Sequence, residues 1–467
     1  MDEIWEGALR VINALKRERE RPDAPLLSIA TPEQAAAFRA LAIPGGARPI
    51  TAVVEDAVRI FDHRVRMDHP RFYGFIPSPA SPASFVGEML TSGFNAHAGS
   101  WMQSSGPSAI EQGLVGWLAE RAGFPDGAGG SFVSGGSMAN LTGLMLARDR
   151  MLPEEERHRG VAYLSTQTHS SVAKGLRVLG LLPNQIRSIA VDADRRLDLA
   201  SLSAAIAEDR ADGRLPFAVI GSCGTTNTGA IDDLHGLADL AAAERFWLHV
   251  DGAYGASVAL SHRHRDLVSG LGRADSLSWD AHKWLFQTYG CGMVLVKDRA
   301  HLIENFTNSA EYLQDALSSS DTPNFWDYGI ELTRPARAMK LWFTLQVLGE
   351  VAIGDAIDHG FALAEALESA LRARQDWRIV SKAQLGIVAF RYEPPQIGTD
   401  RLDALNTAIA TRLIAENVAA PLTTRLDGKV VMRACAIAPE AEIEDMFAMA
   451  AEMDVVSRSI ADSFGSV

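Results

Sequence analysis

Between about residues 86 and 345, short runs of nearly uninterrupted apolar residues recur: VAYLS (161–165), IRSIAVD (186–192), FAVIGSC (217–223), FWLHVD (246–251), SLSW (276–279) and GMVLV (292–296). Longer stretches with helical spacing separate them. Short apolar runs joined by crossover helices predict a mostly parallel sheet covered on both faces. Residues 1–85 instead read as amphipathic helices and proline-punctuated loops, with no strand pattern until after HPRFYGFIPSPASPAS (69–84), and are not expected to fold alone. Beyond a long helix around Arg337–Leu348, LGIVAFRY (385–392) and VVMRACAI (430–437) predict strands of a smaller α+β domain. The expected divisions are therefore 1–85, 86–345 and 346–467. In an open parallel sheet ligands sit beyond the carboxyl ends of the strands, so the loops after the apolar runs are where chemistry is expected.

Several of those loops carry reactive or ligand-binding residue types. In SLSWDAHKWLFQTYGCGMVLV (276–296), Lys283 follows a strand pattern and stands between His282 and Trp284. A solitary lysine is usually solvated. In this apolar setting desolvation would favour the neutral, imine-forming amine. FWLHVDGAYGAS places Asp251 at a strand end. There it is either a helix cap or a carboxylate that keeps the ring nitrogen of pyridoxal 5'-phosphate (PLP) protonated, the condition for that ring to act as an electron sink. Ala253 would let such a ring lie flat against the chain. GGSFVSGGSMANLTGLMLARDR (129–150) leads through Gly135, Gly136 and Ser137 into a helix. Exposed amides and a hydroxyl at a helix start form a phosphate site, although similar turns often only cap a helix. His169 in STQTHSSVAKG and Thr226 in GSCGTTNTGAIDDL follow strand patterns and point to the same crevice. The histidine is a stacking group there, or a helix cap.

Composition narrows the partners more than the chemistry. The formal charge of -14 (44 Lys+Arg against 58 Asp+Glu) argues against nucleic acid or anionic lipid and leaves a small molecule as the expected ligand. Three cysteines, Cys223, Cys291 and Cys435, lack paired spacing, so neither disulfides nor a thiolate metal site is suggested, and no metal is expected. The opening MDEIWEGALRVINALKRERE reads as a charged helical pattern, so no leader is expected, and no long apolar run follows. A reducing cytoplasm is expected.

Together these residues resemble the group II PLP-dependent decarboxylases, the family of aromatic-L-amino-acid, histidine, glutamate and cysteine-sulfinate decarboxylases. Asp280-Ala281-His282-Lys283 is similar to its cofactor-lysine motif, His249 to Tyr254 to its His-Val-Asp-x-Ala-Tyr stretch, and Thr225 and Thr226 to its Thr-Thr pair. His169-Ser170-Ser171 matches the stacking histidine, Gly136 and Ser137 the phosphate turn, residues 69–90 a substrate-side motif, and Leu385 to Arg391 a C-terminal motif. The resemblance implies a fold type I PLP enzyme: a mainly parallel seven-stranded sheet covered by helices, a helical N-terminal segment wrapping a partner in a homodimer, and a small C-terminal domain. It implies Lys283 as the amine carrying PLP as a Schiff base, Asp251 on the pyridine nitrogen and His169 stacked on the ring. Gly136, Ser137, Thr226, Ala253 and His282 complete the cofactor contacts. Phe72, Phe75, Ile76 and Trp101 match the region that shapes the substrate pocket and favour an apolar or aromatic side chain. The same four could be dimer core, and diaminobutyrate or an acidic amino acid stay open as substrates.

Two positions depart from the family. Asp280 stands where animal aromatic decarboxylases carry Asn, and a carboxylate beside a phosphate is repelled unless it turns to backbone donors. In SSSDTPNFWDYGIELTRPARAMKLW (318–342), which resembles the family's mobile loop, Phe325 falls where relatives place the tyrosine that protonates Cα. Tyr328 is the expected substitute. A Phe at that position is associated in the family with aldehyde formation, so an aldehyde synthase is the alternative activity. Another PLP lyase, a transaminase and a silent PLP-binding protein are the further rivals.

Overall fold

The computed structural model describes residues 2–21, 24–43, 45–307, 319 and 321–465. Part of the segment that resembles the family's mobile loop, residues 318 and 320, lies outside the described residues.

Seven strands form the central sheet: β1 (Gly129–Val133), β2 (Gly160–Ser165), β3 (Ile186–Ile189), β4 (Leu215–Ser222), β5 (Trp247–Asp251), β6 (Ser276–Asp280) and β7 (Gly292–Val296), in the order β1-β7-β6-β5-β4-β2-β3. Only β7 runs against its neighbours. β1, β2, β5, β6 and β7 are buried along their whole length, which is why the sequence shows runs and not alternation. The expected strand 186–192 ends early, at Ile189, where the chain turns at Asp192.

Inside this buried sheet a polar ladder is hidden. His249 pairs with Ser276 and Asp251 with Ser278 in the β5–β6 register. Side chains alternate between faces, so Trp247, His249 and Asp251 share one face with Ser276, Ser278 and Asp280. The helix Gly136–Met151 lies over that face. Gly143 is what allows the approach: a Cβ there would come within 2.7 Å of His249 Nδ1.

A second sheet, antiparallel, orders as β10-β11-β9-β8, from β8 (Trp377–Gln384), β9 (Ile387–Tyr392), β10 (Leu422–Leu426) and β11 (Lys429–Cys435). β8 and β10 escape the sequence reading because both are half exposed and mixed with charge. The helix Ala338–Arg372, bent at Gly349 (φ 82), joins the two sheets. Before β1 the chain is helical, and the helices Pro32–Leu41 and Ile50–Asp62 bury no residue. Trp5 and Phe61 are each 69% exposed, with Ile4 and Leu9 also in the open.

Candidate active site

A cavity of about 540 Å³ opens at the carboxyl ends of β4, β5 and β6. It brings together Gly136, Ser137, His169, Thr226, Asp251, Ala253, His282 and Lys283, residues far apart in the chain. Phe75 and Ile76 line it as well. Phe72 does not; it packs with Leu26 and Ala420 in a small separate core. Trp101 starts the helix Trp101–Arg121, its amide held by Asn324 Oδ1 at 2.9 Å, and does not line the cavity.

Phe325 and Tyr328 are also apart from it. They sit on a single 3-10 turn, Phe325–Tyr328, with rings edge-on at 5.3 Å, buried in a core against the sheet. Arg334 lies over the Phe325 ring at 5.2 Å. Burial pushes the Tyr328 hydroxyl above its ordinary value. Tyr328 as a proton donor in the cavity of its own chain therefore needs correction: aromatics three apart on such a turn face the same way and bury each other.

At one end of the cavity Asp251 is held by three donors: Asn140 Nδ2 at 3.2 Å, Ser278 Oγ at 3.1 Å and the Ala253 amide at 3.2 Å. Asn140 also contacts Ser171 Oγ at 3.2 Å and His249 Nε2 at 2.9 Å. His249 continues inward to Ser276 Oγ at 2.8 Å, which accepts from Trp247 Nε1 at 2.8 Å. Burial drives the His249 pKa down to about 4, against a smaller opposing pull from Asp251. His169 caps the helix Ser170–Val178, its Nδ1 accepting from the Ser171 amide, while its ring borders the cavity. The capping contact is therefore present, in a residue that also lines the cavity.

The other end is unlike this. Lys283 Nζ lies 3.2 Å from Asp280 Oδ2, so the lysine meets a carboxylate and not the apolar surround expected of it. Asp280 does not turn to backbone donors either: its buried Oδ1 has no hydrogen-bond partner. The carboxyl abuts the glycine turn, since a Cβ on Gly136 would come within 2.9 Å of Asp280 Oδ2 and 3.0 Å of the Ala253 Cβ. His282 accompanies it, Nδ1 against the Cys291 carbonyl at 3.1 Å, with burial lowering its pKa.

Three neighbours were not singled out from the sequence. Asn140 is buried on the helix behind the glycine turn. Tyr254 stacks on Trp284 at 4.8 Å and donates to the Leu385 carbonyl, tying the second sheet to the cavity wall. Arg433 on β11 is only 4% exposed, donates to the Phe75 carbonyl, and leaves Nε and Nη2 without a partner.

A lysine amine, a carboxylate deep in the cavity, a helix start free of side chains with a serine beside it, and an imidazole facing in form the donor set that PLP requires. The unpartnered guanidinium nitrogens of Arg433 and the side-chain-free turn at Gly135 and Gly136 suit anionic groups, whereas the Asp280 carboxylate does not. Comparison with known proteins agrees. Residues 32–393 match the family model described as the pyridoxal-dependent decarboxylase conserved domain. An aromatic-L-amino-acid decarboxylase of Bacillus atrophaeus is 41% identical over 410 residues, 87% of this chain and 85% of that one. An L-2,4-diaminobutyrate decarboxylase of Rhizobium meliloti (strain 1021) is 34% identical over 381 residues, 81% of this chain and 76% of the other. The crystal structure of Oryza sativa TDC with PLP and tryptamine superposes with a TM-score of 0.92, at 25% identity, over 98% of each chain.

Proposed function

The chain belongs to the pyridoxal-dependent decarboxylase family, and from that membership we propose that its substrate is an aromatic L-amino acid, released as the amine and CO2. Amino-acid decarboxylation with PLP as cofactor comes with the family. The side chain accepted and the role of each residue are our reading. The observation that carries it is the convergence of Lys283, Asp251 and His169 on one cavity beside the Gly136 helix start.

When bound, PLP supplies the electron sink for the pair left by the departing carboxylate. Lys283 provides the amine that anchors it. Asp251, fixed by three donors, would hold the proton on the pyridine nitrogen. Ser137 and the amides at Gly136 would hold the phosphate, Thr226 would hold a ring substituent or the substrate carboxylate, and Ala253 and His282 would complete the cofactor contacts. His169, which lines the cavity, would cover the ring and present its outer nitrogen to the substrate. The buried guanidinium of Arg433, reached past Phe75, is the group we assign to the substrate carboxylate. A proton for Cα comes from His169 or a water that it holds, since Tyr328 is packed into the core of its own chain.

An aromatic substrate is favoured over diaminobutyrate by charge. A second ammonium needs its own carboxylate, and the two carboxylates lining the cavity, Asp251 and Asp280, are both committed to the cofactor end. Phe75, 54% exposed, and Ile76 offer apolar surface at the mouth. The test is CO2 release from a panel of L-amino acids with mass analysis of products. Turnover of diaminobutyrate or glutamate in preference to tryptophan, tyrosine or phenylalanine would overturn the substrate assignment. Release of aldehyde, ammonia and hydrogen peroxide would establish the aldehyde-synthase alternative carried by Phe325.

The reading includes a homodimer in the cytoplasm. The apolar residues exposed on the first helices support a subunit contact, and three buried free thiols suit a reducing compartment. Among the described residues no helix is long and apolar enough to cross a membrane.

A further inference from the structure

We propose that Asn140 is a positioning residue that couples Asp251 to His169, and that through Ser171 it holds the His169 ring as the tautomer with its proton on Nε2, facing the cavity.

The assignment follows from counting donors. A carboxylate only accepts, so the atom of Asn140 that meets Asp251 is the amide nitrogen. That orientation turns the Asn140 carbonyl toward His249, and Nε2 of His249 must carry the proton it donates. Burial keeps this imidazole neutral, so its Nδ1 accepts the Ser276 hydroxyl proton, and Ser276 in turn accepts from the Trp247 indole, which can only donate. The inner half of the network is therefore fixed from both ends, by a group that only donates and one that only accepts.

The outer half follows from the same nitrogen. The second hydrogen of the Asn140 amide points at Ser171 Oγ. That hydroxyl accepts there, and because the Ser171 backbone amide already donates to His169 Nδ1, the hydroxyl's own proton goes to the same nitrogen, 2.8 Å away. The Ser171 backbone amide points at the same nitrogen from a longer 3.3 Å. Two donors on Nδ1 leave no room for a proton there. A neutral His169 then bears it on Nε2, the atom suited to hydrogen-bond a carboxylate or to deliver a proton within the cavity.

Asn140→Asp tests this because it keeps the shape and puts an oxygen where the amide nitrogen met both Asp251 and Ser171; the facing carboxyls share a proton directed at Asp251, and the side turned to Ser171 becomes an acceptor. His249 can still donate to Oδ1, which remains an oxygen. Ser171 meets an acceptor where it met a donor, so its proton turns inward and its oxygen is free to accept from His169 Nδ1. Ser171→Ala is the second variant, leaving the contact between Asn140 and Asp251 intact while removing the hydroxyl. The readout is the nitrogen NMR spectrum of the full chain labelled with 15N-histidine, before and after loading with PLP, the His169 signals being assigned by their loss in His169→Gln.

The expected result is a single Nε2–H tautomer in the parent, a majority Nδ1–H form in Asn140→Asp, and a mixture in Ser171→Ala. With PLP loaded, kcat in Asn140→Asp falls about tenfold or more while KM changes less. An Nδ1–H tautomer in the parent, or both variants keeping the parent pattern, overturns the proposal; in the latter case the backbone amide alone sets the ring. The catalytic use of the tautomer rests on the function proposed above, but the spectrum does not. A chain that failed to bind PLP would therefore defeat that function while leaving the tautomer measurable.

Discussion

The two ends of the cavity are built on opposite plans. At the Asp251 end the carboxylate has three donors, and the asparagine behind it is anchored through His249 and Ser276 to Trp247. At the Asp280 end a buried oxygen has no partner and the other is shared with Lys283, whose side chain is a quarter exposed. A satisfied network costs little to keep and much to rearrange. An unsatisfied one is ready to change partners. Under the function proposed above, the first end would stay as it is on binding the cofactor, and the second would be rearranged by it.

The largest effects test whether both ends serve one cofactor. Lys283→Ala removes the only lysine amine among the described residues that line the cavity. Turnover should fall by about 10^4-fold or more, and the yellow, borohydride-sensitive absorbance should be absent. Near-normal turnover would remove the cofactor assignment altogether. Asp251→Asn should come next, with a loss of about 10^3-fold, since a neutral amide does not stabilise a protonated pyridine nitrogen and also faces the Asn140 amide with a donor. A loss of only a few-fold would mean that Asp251 serves the fold and not the ring.

The contrast between the ends was only partly legible in the sequence. The sheet was readable because buried strands leave apolar runs, and Lys283, Asp251 and His169 were readable because each follows such a run. Phe72 and Tyr328 were not, because an apolar residue near a motif has the same letter whether it faces a ligand or a core. Asn140 and Arg433 were missed for another reason: each lies within a helix or strand, away from the loops where ligands are sought. A signal for the network did exist. In WLHVD and SLSWD, polar residues at alternate positions of otherwise apolar strands mark a polar ladder on one face, and the small residue Gly143 on the covering helix marks where it comes close. The β8 and β10 strands stayed hidden because half-exposed edges mix charge with apolar residues.

The fixed end should reveal itself to acid. His249 is held at about 4 from an ordinary 6.5, mainly by burial. Its folded pKa is depressed, so the unfolded chain binds the extra proton between those values. The stabilisation is complete above 6.5 and is lost as pH falls toward 4, on the order of 3 kcal/mol in all. Asp232, pushed up to about 6 by burial, acts in the opposite direction, its contribution fading as pH rises toward 6. The difference between parent and variant therefore isolates the histidine. His249→Gln should be less stable at pH 8 and should lose less than the parent on going from pH 7 to pH 4.5, measured by urea unfolding of the cofactor-free chain. Parallel curves would show that His249 is not the buried neutral group on which the network depends.

The smallest effect belongs to the adaptable end and is the one that most directly tests the comparison. Asp280→Asn keeps the size of the side chain, removes a negative charge from beside the Gly136 turn, and supplies an amide hydrogen where an oxygen now lacks a partner. Without cofactor the change is unfavourable, because Lys283 loses its counter-ion. With cofactor it is favourable, because the phosphate meets a donor in place of a carboxylate. Both changes raise the preference for the loaded state, so PLP should bind about tenfold more tightly, with thermal stability of the cofactor-free chain slightly reduced. The gain should be larger at pH 8 than at pH 6, since the phosphate carries its second charge above about pH 6. Equilibrium dialysis at the two values measures both. Weaker binding at either pH would mean that Asp280 contributes attraction to the site, and the two ends of the cavity would then have to be regarded as equally finished.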